Sequence, residues 1–200
     1  MMFDSGISVK DLVEELNTEV DIALDIPDKT YVQWLNSLQQ LLYTEFIKEQ
    51  KKKILKTPFE NNLINVSELA ETGENSPRFE DIHAVYADDT QLIKTSVASG
   101  VIFPNTFFRV TDKLAFNATV NKAITLIYHV KPELIDDTRT EDFKVMIPIE
   151  FIDLVKAKLR GEAYKLANED VLSAKWLNDY NILLENFKMW ISEKNSNFGI

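Results

Sequence analysis

Apolar positions recur at helical spacing at both ends of this chain and at strand spacing in its middle. Val9, Leu12, Val13, Leu16 and Val20 share one face of a first predicted helix. Ser8 is placed to cap the Asp11 N–H, Asp11 to answer from the third position, and Ile7 to staple onto Leu12. The acidic hinge "DIALDIPDKT" breaks at Pro27, and Asp28 or Thr30 is expected to cap a second helix running to about Lys53. Tyr31, Trp34, Leu35, Leu38, Leu42 and Phe46 form its stripe, and the basic run Lys48 to Lys56 falls where its C-terminal dipole would welcome cations. At the other end Pro148 suits the first turn of a third helix, with Ile152, Val155, Leu159, Ala163 and Leu166 on one stripe. After Asn168-Glu169-Asp170 the stripe resumes through Trp176, Leu177, Tyr180, Leu183, Leu184, Phe187, Trp190 and Ile191.

Between these ends the period shortens. Leu63–Leu69 mixes branched and polar residues, and "ETGENSPR" has loop composition. Phe79–Tyr86 and Leu92–Val97 read as strands around the turn "ADDT", and "ASGVIFPNT" is a connection. Phe107–Val110 and Leu114–Val120 continue as strands, with "NK" as a turn. Ala123–Val130 alternates most cleanly, the period of two that a half-buried strand requires. The predicted fold is therefore α+β: a helical bundle built from N-terminal and C-terminal helix pairs, with an inserted antiparallel β section, as a sheet or small barrel. Its parts are residues 1–56 (N-terminal helices), 57–130 (β section), 131–147 (acidic connection), 148–194 (C-terminal helices) and 195–200 (tail).

Composition narrows the class. Hydrophobic content of 45% and charged content of 27% suit a globular chain with a real core. The absence of cysteine removes disulfides, thiolate metal sites and thiol catalysis. The start of the chain lacks the basic and apolar regions of a signal peptide, and no apolar window is long enough to span a membrane. The net charge of −10 argues against binding nucleic acid or anionic membranes. It is unevenly spread: residues 1–30 hold eight acids against Lys10 and Lys29.

Candidate chemistry is sparse. His83 and His129 lie in predicted strands, without the spacing of a metal-binding pair. Asp88-Asp89 has the form of a carboxylate pair, but Asp-Asp before Thr90 between two strands reads as a turn. The five glycines form no nucleotide cradle and no nucleophile elbow. Lys156, Lys158, Arg160 and Lys165 read as a solvated helix face, and the lysine run as a helix end rather than a dock for an acidic partner. No catalytic set, cofactor site or metal site is expected. One feature points outward: Val171, Ile182 and Met189 fall opposite the main stripe of the last helix. With Trp190 they mark a candidate interface for a neighbouring subunit or partner.

The segment from Ala123 to Trp190 resembles the head-to-tail adaptor proteins of tailed, especially short-tailed, bacteriophages. The resemblance rests on Tyr128, Pro132, Asp136-Asp137, Pro148, Phe151, Glu169-Asp170, Ala174 and Tyr180 in that order. The N-terminal "YVQWLNSLQQLLY", with Trp34 and Asn36, resembles those proteins' opening helices, whereas the middle β section has no counterpart. The resemblance implies a virion structural protein at the head–tail interface, made in the host cytoplasm, without enzymatic activity. It implies a homo-oligomeric ring of about a dozen copies contacting portal and tail proteins, with no sequence-specific nucleic-acid binding and no membrane. Two alternatives stand beside it: another phage neck or ring protein, and a hydrolase using His83, His129 and Asp88-Asp89.

Overall fold

The computed structural model describes residues 3–22, 24–56, 62–96 and 103–197. They form a mixed α+β protein with four α-helices and sheets that are antiparallel but for one strand pair. The chain divides into two compact units, Met1–Ile47 with Leu134–Ile200 and the continuous Lys48–Glu133.

In the helical unit, α1 (Val9–Glu19) starts where the Asp11 N–H donates to Ser8 Oγ at 3.0 Å. Its apolar face buries Val9, Leu12, Val13 and Leu16. The second helix, α2 (Asp28–Leu42), is entered differently from the expectation. Pro27 holds the N-cap position with no side-chain cap, and its carbonyl accepts from Thr30 N–H at 2.8 Å. Asp28 is the first helical residue, and its carboxylate instead accepts from Asn17 Nδ2 at 2.9 Å.

The larger correction concerns the end of α2. The helix closes in a π-helical turn, Tyr43–Ile47, and Lys48 adopts a left-handed backbone (φ 47°) that redirects the chain. The lysine run is therefore not a helix terminus but strand β1 (Gln50–Lys56). Its period of two is hidden in the sequence because lysines fall on both faces of the strand, Lys51 and Lys53 on one and Lys52 and Lys56 on the other.

A 3-10 turn at Ile149–Phe151 follows Pro148 and leads into α3 (Ile152–Leu166). Asn168, with φ 60°, ends that helix, and the Glu169 N–H returns to the Tyr164 carbonyl at 2.9 Å. The chain then enters α4 (Asp170–Asn197). Val155, Leu159 and Ala163 are buried as predicted, but Leu166 in the last turn is 48% exposed. Leu154, Ala157 and Tyr164 are buried too, because α3 packs against α1, α2 and α4 rather than along one stripe. The tightest approach is at Gly161, where a Cβ would lie 2.7 Å from Leu177 Cδ2. Beside it the buried Ser173 Oγ donates to the Gly161 carbonyl at 3.0 Å.

One hydrophobic core takes Leu16, Leu35, Leu154 and Phe187 from the four helices. It also takes Ile135, Val145 and Ile147 from the acidic connection, which is thus no loose linker. Asn36 on α2 brackets Ile135, donating to its carbonyl at 3.1 Å and accepting from its N–H at 2.8 Å. One turn further on, the buried Gln39 accepts from Met146 N–H at 2.6 Å.

The β unit contains two four-stranded sheets among the described residues. The first has the order β1-β8-β3-β4, with β8 at Ala123–His129, β3 at Ile82–Ala87 and β4 at Thr90–Gln91. The second has the order β2-β7-β6-β5: Leu63–Asn65, Lys113–Asn117, Thr106–Val110 and Ile93–Lys94. The chain passes from one sheet to the other at the buried Leu92, and β5 pairs with β6 in parallel, a departure from the antiparallel expectation. Leu63–Leu69 and Phe79–Tyr86 each divide between a strand and a 3-10 turn, at Val66–Leu69 and Phe79–Asp81. Val97 and most of "ASGVIFPNT" lie outside the described residues. Strand β8 alternates between half-buried and buried along its whole length, as its sequence predicts.

Candidate functional site

The net charge belongs to one unit. Of 32 acids and 22 bases, 11 of each lie in Lys48–Glu133, leaving 21 acids against 11 bases in the helical unit. The whole −10 is therefore carried by the helical unit, and the β unit is neutral. The basic residues of α3 do not form a free patch. Lys156 pairs with Glu15 and Arg160 with Glu19, both on α1, while Lys158 pairs with Glu162 at 2.7 Å.

On α4, one side packs into the core through Tyr180, Phe187 and Ile191. On the other side Val171 is 84% exposed, Ile182 56% and Met189 59%. Their spacings of eleven and seven residues are close to three and two whole turns, so they form one axial row. Trp190, expected with them, sits elsewhere. It is half-buried among Phe3, Phe151 and Phe187, with ring centroids 5.3–6.4 Å away, because its position on the helix falls on the core side.

Beside this row lies a groove of about 460 Å³ between α3 and α4, in which Ile182 takes part. Trp176 and Leu183 line it with Ile182, and Asp153 and Asp179 add carboxylates. The Arg160 guanidinium stacks 4.7 Å over the Trp176 ring. The sequence signal for the groove is weak, since Asp153 and Asp179 lie on different helices, 26 positions apart.

In the β unit the lysines of β1 divide by face. Lys51 pairs with Glu71 and Glu74, and Lys53 donates to the carbonyls of Glu68 and Leu69 at 2.8 and 3.3 Å. Burial alone would pull the Lys51 ammonium down, but the hydrogen bonds it donates to Glu71 and Glu74 carry it well above its ordinary value. The outward positions are Lys52, Ile54 and Lys56, all exposed, and neither lysine has an ion pair among the described residues. Strand β1 is a sheet edge, where lysines discourage unwanted strand pairing.

The histidines do come together, with ring centroids 5.8 Å apart, and Gln50 Nε2 lies 3.2 Å from His129 Nε2. Burial, and then the neighbouring His83, hold the His129 imidazole below its ordinary pKa. Nearby Asp81 is occupied by Lys131 at 3.0 Å and by the Arg78 N–H at 2.7 Å. These hydrogen bonds outweigh its burial and keep it below the usual carboxylate range. Among the described residues no three histidines or carboxylates converge on a metal position.

Asp88-Asp89 lies at the far end of β3, roughly 16 Å from His83 at strand rise. Asp88 has a left-handed backbone (φ 51°), and its carboxylate accepts the backbone N–H groups of Asn121, Lys122 and Ala123 at 2.8–3.0 Å. Those three hydrogen bonds lower its pKa, and they make it a clamp between two turns. The histidines and this carboxylate pair are not brought into one site.

No helix among the described residues is long and apolar enough to cross a membrane. No protein-family model matches the chain, and no curated protein matches it.

Proposed function

We propose that this protein is a virion structural protein, a head–tail adaptor that assembles as a ring between portal and tail and acts through protein–protein contacts. The observation that carries the reading is the second apolar side of α4. A helix that buries Tyr180, Phe187 and Ile191 yet presents Val171, Ile182 and Met189 outward is suited to packing between its own core and a neighbour. Two further features support it. Residues 1–47 and 134–200 share one core, which agrees with a bundle built from both helix pairs around a β insertion. The helical unit's charge of −10 would repel the phosphate backbone of DNA passing through a ring lined by it.

The test is the assembled mass of the full chain, by light scattering and electron microscopy, alone and with the portal of the same virus. Rings of about a dozen copies in either sample are expected. A chain that stays monomeric in both rejects the adaptor reading.

A further inference from the structure

The outer strip of β1 and the groove between α3 and α4 carry complementary patterns. The strip sets Ile54, 56% exposed, between Lys52 and Lys56. At strand rise those three side chains span roughly 13 Å. The groove sets Trp176, Ile182 and Leu183 beside Asp153 and Asp179. Of the cations beside it, Arg160 is already engaged by Glu19, and Lys175, whose Nζ lies 5.2 Å over the Trp176 ring, offsets only one of the two carboxylates, so the charge left to a visitor is acidic.

The division of charge selects which surfaces can meet. Two helical units brought face to face would oppose −10 with −10, whereas a neutral β unit approaches a helical unit without that repulsion. A two-fold contact through α4 is disfavoured on this ground, and a contact between unlike surfaces is not.

We infer that the Lys52–Ile54–Lys56 strip of one copy docks into the α3–α4 groove of a second copy, the lysines facing Asp153 and Asp179 and Ile54 resting on Ile182. Such a contact joins unlike surfaces, so it repeats from copy to copy and closes into a ring when the rotation permits. The inference deepens the adaptor reading and rests on it only for that closure. It also gives the outward lysines a role beyond guarding a sheet edge, and the two roles separate experimentally. Glutamate is also a charged residue that guards an edge, but it reverses the charge offered to the groove.

The experiment uses the full chain in analytical ultracentrifugation at low and high salt. Two variants are compared, Lys52→Glu with Lys56→Glu, and Asp153→Lys with Asp179→Lys. Tryptophan fluorescence and far-UV circular dichroism check that each remains folded. Each variant alone is expected to associate roughly tenfold or more weakly than the unmodified chain, because like charges then meet. An equimolar mixture is expected to regain association, since every contact again pairs opposite charges. Unchanged assembled mass in both variants overturns this contact while leaving the ring itself standing. A mixture that stays dissociated, or an unmodified chain monomeric throughout, also overturns it.

Discussion

Gly161→Ala tests the packing of α3 on α4 with two opposing terms of known sign. In the middle of a helix alanine is better than glycine by about 1 kcal/mol, so propensity alone predicts stabilisation. Against this, the new Cβ would sit 2.7 Å from Leu177 Cδ2, 2.8 Å from Leu177 Cγ and 3.3 Å from the Leu177 backbone nitrogen. Rotating the Leu177 side chain relieves the first two contacts but not the third, so the helices themselves must separate slightly. Overpacking of this kind costs about 1–3 kcal/mol. Separation also stretches the buried Ser173 Oγ–Gly161 hydrogen bond, worth about 1 kcal/mol.

The net expectation is a loss of about 1–2 kcal/mol, or roughly 4–8 °C in the melting temperature of a unit this size. Tryptophan fluorescence reads this directly, because Trp34, Trp176 and Trp190 all belong to the helical unit. The decisive arm is a double-mutant cycle with Leu177→Ala. Once the leucine is truncated, the same glycine-to-alanine change should turn neutral or stabilising. A Gly161→Ala variant that gains the full helix-propensity term of about 1 kcal/mol, with no coupling to Leu177 in the cycle, would refute the close approach.

Asn36→Ala should cost roughly 1–3 kcal/mol in urea unfolding followed by tryptophan fluorescence, since it unmakes both bonds to the Ile135 backbone; a loss under about 0.5 kcal/mol would mean that Asn36 does not hold the connection. For the β unit, a histidine whose folded pKa is depressed contributes stability above its unfolded value near 6.5. That contribution is lost as pH falls from there through the folded value. His129→Gln should therefore flatten the pH dependence of β-unit unfolding below about pH 6.5, read by circular dichroism, without altering assembled mass. An unchanged slope would show that His129 does not carry the effect.

The elements most legible in the sequence were those whose cause is local. The Ser8 cap acts over three residues, and β8 alternates residue by residue. The end of α2 was misplaced because lysines at a helix C-terminus satisfy the dipole as readily as lysines guard a sheet edge. What remained hidden is long-range. The Glu15–Lys156 and Glu19–Arg160 pairs join positions 141 apart, and they tie part of an apparent basic face of α3 to α1. The same holds for Asn36 and Ile135, 99 positions apart, where nothing near either residue announces the other. Helical spacing already puts Trp190 on the main stripe, and the structure packs it there in the aromatic cluster, while its neighbour Met189, turned by about 100°, faces outward.

The division of the chain also has a consequence in time. The β unit is one continuous stretch, Lys48–Glu133, whereas the helical unit is assembled from the segments on either side of it. During synthesis the β unit can fold as soon as its last strand leaves the ribosome. Helices α1 and α2, made first, must meanwhile keep Leu12, Leu16, Leu35 and Leu38 from other partners until α3 and α4 arrive. At roughly 5–20 residues per second that wait lasts several seconds after the β unit is complete. The first thirty residues carry eight acids against two lysines, so copies waiting in this state repel one another.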